Sequence, residues 1–198
     1  MSQTAPGPQA QTQTPPLVVN IQYVKDMSFE VPNAPAIYTQ LRAQPQVNIN
    51  LDVNARRIQE NQHVYEVTLM IRAEAREAAP GQPGAGQTNI AQSGNGQGGN
   101  GQGGNVQTDG GQAAASAPTV FVAELAYAGV FTLNNLPDNA IEPVLLVECP
   151  RILFPFARNI LADVTRDGGF PPVLLQPIDF VALWQSRRQP QPEATAQA

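Results

Sequence analysis

CPRILFPFARNILADV, residues Cys149–Val164, is the segment from which the architecture of this chain is predicted. At about 100° per residue, its apolar side chains fall on one arc roughly 200° wide, whereas contact with a single neighbouring element requires a stripe of only about 100°. Arg151 and Arg158 lie outside this arc. The pattern therefore predicts a helix with partners on two sides, such as a sheet on one and a second helix or subunit on the other. Pro155 removes a backbone donor inside the helix and predicts a kink.

Capping and turn residues predict where this helix ends and where two further helices lie. Gly168 and Gly169 predict its end. Pro143 suits the first turn of a preceding helix, and Pro150 predicts a break or kink between the two. Asp179 predicts the amino-terminal cap of a short helix whose apolar residues recur at i, i+3 and i+4, namely Phe180, Leu183 and Trp184.

Four stretches upstream alternate apolar and polar side chains with period two, which is typical of strands with one buried face. They span residues 17–31, 47–56, 63–76 and 120–133. The short turn between the second and third favours antiparallel pairing, and Gly129 predicts a bend or bulge in the fourth. The sequence therefore predicts an α+β fold, in which a four-stranded antiparallel sheet is followed by a long kinked helix and a short carboxyl-terminal helix.

The first strand is predicted to follow one uninterrupted alternation. Its odd-numbered residues, including Ile21 and Tyr23, share one face, and Asp26 and Glu30 fall on the opposite, wet face. About 13 Å separates the two carboxylates along an extended strand, which is too far for a catalytic pair. Taken alone, they are interpreted as part of a solvated face.

Three segments are too polar and too rich in Gly, Gln, Asn, Pro or Thr to bury a core. Residues 1–16 and 189–198 are predicted to be disordered tails. Residues 78–118 are predicted to be a flexible insertion that enlarges a hairpin loop within a single domain spanning residues 17–188. The Gly-rich run in this insertion has no GK[ST] after it and opens no helix, so it predicts no phosphate site.

Charge and composition exclude several classes of protein. A formal net charge of −5 argues against a nucleic-acid partner, which needs a basic surface, and permits a basic protein partner. Cys149 is the only cysteine, so the chain forms no internal disulfide, which fits a protein of a reducing compartment. The first residues lack the cationic and apolar regions of a secretory signal, and no apolar run approaches the roughly 20 residues of a membrane span. We expect a cytoplasmic protein without direct membrane insertion.

The sequence contains no recognisable catalytic or metal-binding motif. One His and one Cys do not supply a zinc cage. His63 is expected in a turn, as a solvated residue rather than a ligand or base, and Cys149 is expected to pack rather than to act as a nucleophile. Neither GxSxG nor a Walker A motif is present. We therefore expect no enzyme activity, no cofactor and no metal.

Five collinear stretches carry a family resemblance. They are YVKDMSFEVPNAP (Tyr23–Pro35), VYEV (Val64–Val67), FVAELAYAGVFTL (Phe121–Leu133), CPRILFPFARNIL (Cys149–Leu161) and GGFPPVLLQPIDFVALW (Gly168–Trp184). In order and spacing they resemble the SecB family of bacterial protein-export chaperones. The resemblance implies an ATP-independent chaperone that keeps preproteins unfolded and passes them to the SecA motor. It also implies a homotetramer, a dimer of dimers with the long helices between the sheets, and no cofactor.

The resemblance further implies two binding surfaces. The family's acidic SecA-docking surface falls on Asp26 and Glu30 in the first strand and on Val122 and Glu124 in the fourth. Its apolar client-binding groove falls on the second strand, the loop before it and the last helix, at Ile37, Tyr38, Val47, Ile49, Leu51, Ile178, Phe180, Leu183 and Trp184. Without the resemblance, each groove residue would be interpreted as plain core.

The chain departs from the family at three places. Ala43 stands where the family often has Trp, and Tyr38 or Trp184 would supply the aromatic surface instead. The insertion is unusual, and the carboxyl-terminal tail matches the family's SecA-contacting tail weakly. Two alternatives stay open, namely a SecB-like chaperone dedicated to one client, such as a toxin, without SecA targeting, and a small-molecule enzyme with a closed cavity of convergent polar groups.

Overall fold

A five-stranded sheet and the long helix packed on it form the frame of the molecule. The computed structural model describes residues 14–77, 89–92 and 117–188, with residues 89–92 as backbone only. The elements in chain order are β1 (Leu17–Glu30), α1 (Ile37–Gln40), β2 (Gln46–Arg57), β3 (Val64–Arg76), β4 (Asn89–Gln92), β5 (Thr119–Leu133), α2 (Asp138–Pro143), a π-helical turn (Val144–Glu148), α3 (Cys149–Asp167) and α4 (Phe180–Arg188). The order across the sheet is β1-β5-β3-β2-β4.

The predicted architecture is confirmed. β1, β5, β3 and β2 pair antiparallel, and α3 and α4 are the predicted long and short helices. The strands that flank the predicted insertion, β3 and β5, are hydrogen-bonded neighbours, and the Glu77 N–H donates to the Pro118 carbonyl across its ends at 3.1 Å. Within the insertion, β4 adds a strand parallel to β2, which the sequence did not predict.

The predicted tails lie almost entirely outside the described residues. Residues 14–16 are the exception. The carbonyls of Pro15 and Pro16 accept hydrogen bonds from the side chain and the backbone N–H of Asn134, at 3.0 and 2.9 Å. The chain is therefore tied to the end of β5 slightly before β1 begins.

The core lies between the sheet and α3. Leu153, Ala157 and Leu161 of α3 are fully buried against the inner face, to which the odd-numbered residues of β2, β3 and β5 contribute. Gly129 of β5 permits the close approach of this helix, because a Cβ at that position would lie 2.9 Å from Cδ2 of Leu153. Of the bend or bulge predicted at Gly129, the bulge is excluded because pairing continues there without a shift, and the bend stays a prediction; the missing side chain makes room for α3.

The bulges lie on β1. The register of β1 with β5 shifts between Val19 and Ile21 and again between Val24 and Asp26. Directly opposite residues share a face, so each extra residue reverses the alternation that follows it. The uninterrupted alternation predicted for β1 is therefore wrong between the two shifts, where Ile21 lies on the outer face and Val24 on the inner one. Beyond the second shift the predicted phase returns, and Asp26 lies on the outer face as expected.

The helical segment before α3 does not break at Pro150. Instead, α2 passes through the π-helical turn directly into α3, in which Pro150 lies in the first turn. A proline cannot donate to the carbonyl four residues before it, and the π-helical turn lies directly before this gap in the hydrogen-bond ladder. α3 continues through Pro155, and the kink there stays a prediction.

The segment after α3 is held by specific contacts. α3 ends at Asp167, as the two glycines predicted, and Gly169 takes a positive φ of 85°. The buried Thr165 hydroxyl donates to the Leu161 carbonyl and accepts the Val173 N–H, at 2.9 and 3.0 Å. The cap predicted at Asp179 is confirmed, because its carboxylate accepts the backbone N–H groups of the second and third residues after it.

Candidate protein-binding surfaces

The four predicted docking residues lie together on the outer face of the sheet. Glu30 is directly opposite Val122, and Glu124 is opposite Ser28, which lies between Asp26 and Glu30 on the same face. Directly opposite side chains have Cβ atoms about 4.5–5.5 Å apart. We call these four residues the acidic patch. Asp26, Glu30 and Glu124 are exposed, and Val122 is half-buried.

The charges of the acidic patch are only partly neutralised. Arg72 of β3 forms an ion pair with Glu124. Within the described part of the chain, Asp26 and Glu30 form no ion pair or side-chain hydrogen bond. The patch therefore presents uncompensated negative charge at the end of β1.

A depression of about 250 Å³ extends the acidic patch across the sheet toward β2. Its lining includes Asp26, Glu124, Asn50, Asp52, Met70, Arg72 and Ala126. Asp52, which the sequence did not single out, is bound by Arg187 at the end of α4, and Arg187 also donates to the Val53 carbonyl at 3.1 Å. The last helix is thus fastened to the rim of the outer face.

One buried carboxylate lies at the centre of the outer face. Glu66 of β3 is only 3% exposed and accepts hydrogen bonds from Arg56 of β2, from Lys25 at 2.8 Å and from the Tyr23 hydroxyl, both of β1. The hydrogen bond from Arg56, helped by those from Lys25 and Tyr23 and opposed by desolvation, lowers the pKa of Glu66 to about 2. The hydrogen bond to Glu66 raises the pKa of Tyr23. Sequence reasoning missed this cluster, although Tyr23, Lys25 and Glu66 all lie in stretches that carry the family resemblance.

The nine predicted client-groove residues do not form one open surface in the single subunit. Five of them are buried in the core, namely Ile37, Ile49, Leu51, Phe180 and Leu183, and three are half-buried, namely Val47, Ile178 and Trp184. Tyr38 is 48% exposed and stacks on Phe170 at 5.3 Å, with its hydroxyl donating to the Gly168 carbonyl. Trp184 instead donates to Glu142 at 3.1 Å and lies under the Arg188 guanidinium. β4 pairs alongside residues 48–51 of the predicted groove strand.

Exposed apolar side chains concentrate along the free edge of β1 and on α3. Val19, Val24 and Met27 lie on the inner side of β1, each more than a third exposed. Phe156 of α3 is 49% exposed and stacks on Tyr127 at 6.2 Å. We call this set the apolar edge. β1 carries it at the end of the strand order, where its outer hydrogen-bonding groups have no partner strand in the described sheet.

The remaining candidates for chemistry have ordinary surroundings. Cys149 is fully buried, and burial raises its pKa to about 12, which fits a packing role. His63 is exposed beside Arg57, with its Nδ1 atom 3.1 Å from the guanidinium. Among the described residues, no three His, Cys, Asp or Glu side chains are placed to hold a metal ion, and no described helix has the length and hydropathy to cross a membrane.

The fold is that of a SecB-like chaperone. Among solved structures, the chain is similar to the Mycobacterium tuberculosis Rv1957 SecB-like chaperone in complex with a ChAD peptide from the Rv1956 HigA1 antitoxin. The TM-score is 0.52 and the identity 10%, over 82% of this chain and 90% of the other. The family model described as preprotein translocase subunit SecB matches residues 10–94 and 105–191.

Relatives of known name agree with this assignment. The protein-export protein SecB of Acidiphilium cryptum is 60% identical over 90% of this chain and 93% of its own length. The protein-export protein SecB of Granulibacter bethesdensis is 57% identical over 96% of this chain and 90% of its own length. The chain belongs to the SecB family, a family of protein-export chaperones rather than of enzymes.

Proposed function

We propose that this chain is an ATP-independent cytoplasmic chaperone that binds unfolded preproteins, keeps them translocation-competent and delivers them to SecA. The observation that carries the proposal is the division of the sheet into two surfaces, the acidic patch on the outer face and apolar side chains at the edges. Uncompensated carboxylates at Asp26 and Glu30 attract a basic partner surface. Exposed apolar area suits unfolded clients, because exposed apolar side chains are the main feature that such clients share.

The docking half of the proposal is tested by removing charge from the acidic patch. The Asp26→Ala and Glu30→Ala variants should bind purified SecA several-fold more weakly, measured by calorimetry, because rim charges steer a basic partner. Both should still delay the refolding of a precursor. Asp163→Ala is the control, because it removes another exposed carboxylate, from α3, and should change neither property. If the variant that carries both substitutions bound SecA as tightly as the wild type, the proposed docking site would be refuted.

The client half concerns the groove residues that remain accessible. We propose that clients contact Tyr38, Val47, Ile178 and Trp184 first, since the other five are buried. The Tyr38→Ala variant should hold a precursor less tightly and bind SecA normally. Ile58→Ala changes a 45% exposed apolar residue directly after β2 and should hold the precursor normally. A protein that holds a single client and ignores SecA would instead fit the one-client alternative.

We also propose that the chain assembles as a homotetramer through the apolar edge. A 14-residue strand whose outer edge has no partner in the described sheet, together with exposed aromatic and aliphatic side chains, provides the features that a self-association surface requires. Light scattering should show dissociation of the Phe156→Glu and Met27→Glu variants. Leu174→Glu places the same charge on a 53% exposed apolar residue outside the apolar edge and should leave the assembly intact. A wild-type monomer would contradict the proposal.

A further inference from the structure

β4 covers part of an otherwise open edge of the sheet. Asn89–Gln92 pairs in parallel with residues 48–51 of β2, so that Asn89 lies beside Asn48 and Gln92 beside Leu51. The rest of β2 after residue 51 has no partner on that side in the described sheet. β4 therefore occupies backbone groups that the antiparallel sheet alone would leave open to an incoming chain.

The covered stretch belongs to the proposed client-binding surface. Ile49 and Leu51 are two of the groove residues, and both side chains are buried in the core. What this stretch offers a partner is therefore its backbone edge. An open strand edge binds an extended peptide through main-chain hydrogen bonds, which require no particular sequence. Unfolded preproteins are extended chains of varied sequence, so the edge that β4 occupies suits them.

The chain connection keeps β4 close to this edge. β3 ends with Arg76 opposite Gln46, at the beginning of β2, and residues 77–88 connect it to β4 on the other side of β2. A short covalent tether gives a segment an effective concentration on the order of millimolar. Four residue pairs form only a few hydrogen bonds, so a client that pairs along more of β2 can displace β4.

We propose that Asn89–Gln92 is an intramolecular competitor of clients, which occupies the edge of β2 and is displaced by an extended segment of the bound preprotein. The inference rests on the proposed client binding and adds its regulation by the insertion. The apparent affinity for clients falls in proportion to the fraction of molecules in which the edge is open.

An opening variant carries Ile90→Pro and Ala91→Pro. Adjacent residues of a strand direct their N–H groups to opposite edges, so one of the two prolines removes a donor to β2. Fluorescence anisotropy measures binding of a dye-labelled precursor that alkylation of its cysteines keeps unfolded. The affinity should rise about three- to tenfold, as for an edge covered in about 70–90% of molecules. Val106→Pro with Gln107→Pro is the matched control, because it also replaces a β-branched residue and its neighbour within the insertion but outside β4, and it should keep wild-type affinity.

A closing variant should have the opposite effect. Asn48→Cys and Asn89→Cys are directly paired positions on neighbouring strands, which lie about 4.8 Å apart, within the range that a disulfide spans. Cys149 is fully buried and does not compete for this bond. After oxidation with glutathione disulfide, this variant should bind the precursor several-fold more weakly, and dithiothreitol should restore wild-type affinity. General destabilisation would not produce opposite changes in the two variants.

Hydrogen exchange measures the displacement itself. Saturating precursor should speed the exchange of the β4 amides that pair with β2 in the wild type, by about the same three- to tenfold. Unchanged exchange there, or equal precursor affinity in the wild type and in the opening and closing variants, would overturn the inference alone. Failure of the client-binding proposal would differ, because neither the wild type nor any variant would bind the precursor, and the competition would then be refuted with it.

Discussion

Acidification should remove a defined increment of stability that comes from Glu66. The hydrogen bond from Arg56, with those from Lys25 and Tyr23, lowers the pKa of Glu66 from 4.5 to about 2 in the folded protein. The unfolded chain therefore binds a proton at this position more readily than the folded protein does. It follows that the carboxylate contributes its full stabilisation above about pH 4.5, and that this stabilisation is lost as the pH falls toward 2.

The size of this increment follows from the same values. A pKa lowered from 4.5 to about 2 corresponds to about 3 kcal/mol at neutral pH, at about 1.4 kcal/mol for each pKa unit. Lys25 and Arg56 are 41% and 65% exposed, and solvent screens their contribution. We therefore expect about 1–3 kcal/mol at neutral pH, of which roughly three fifths is lost at about pH 3.

The assay compares the wild type with Glu66→Gln at pH 7 and at about pH 3. The free energy of unfolding is measured in urea at one protein concentration, because assembly would otherwise shift it. All other carboxylates titrate in both proteins, so the gap between the two should shrink by about 1–2 kcal/mol on acidification. Glu148→Gln, which removes an exposed carboxylate paired with Arg151, should show no such change. An equal gap for Glu66→Gln at both pH values would refute the assigned role of its carboxylate.

Three further predictions concern the core. Gly168→Ala should lower the free energy of unfolding in urea by about 1–3 kcal/mol, because the added Cβ would overlap the Phe29 ring. Thr165→Val, nearly isosteric, should cost about 1–3 kcal/mol in the same assay, since it leaves the buried Val173 N–H without an acceptor. Cys149 should react with an aromatic disulfide reagent at pH 8 only after unfolding, because burial raises its pKa to about 12, and rapid labelling of the native protein would contradict its burial.

The central strands could be read from the sequence because their pleat is regular. β2 and β3 pair without interruption over 12 residue pairs, from Gln46 opposite Arg76 to Arg57 opposite Tyr65. Under such pairing, the period-two pattern of side chains places every inner residue correctly. Glu124 was predicted on the outer face for the same reason, because β5 pairs with β3 without a shift there, whereas the prediction for Asp26 holds because the two shifts of β1 cancel before it.

The rest of the fold depends on interactions that a period cannot show. The π-helical turn lies directly before Cys149, where Pro150 removes a backbone donor. The sequence indicated only that Pro150 disturbs the helix. The pairing of residues 89–92 with β2 comes from a segment with no strand pattern of its own. The burial of Ile49 and Phe180 depends on tertiary packing around the π-helical turn, which contacts both β2 and α4, and period-two or helical patterns do not distinguish core from groove.

The Glu66 cluster could not be predicted from the sequence for a related reason. A glutamate within an alternating strand is normally a solvated outer-face residue, and the sequence gives no sign that Tyr23 and Lys25 arrive over it. Their arrival depends on the first bulge, which moves Tyr23 from the inner to the outer face. Only the register with β5 contains this information.

The two bulges of β1 together determine which way the four residues between them face. A single bulge at Asn20 would invert every residue after it, so that Asp26 and Glu30 would face α3. The second, at Lys25, restores the phase and limits the inversion to the four residues between. That inversion brings Tyr23 over β5 to Glu66 and turns Val24 to the inner side, opposite Tyr127 and beside the exposed Phe156. Exact pairing would leave Asp26 and Glu30 on the outer face, but it would turn Tyr23 inward and Val24 outward, and so would remove the buried cluster and a part of the apolar edge together.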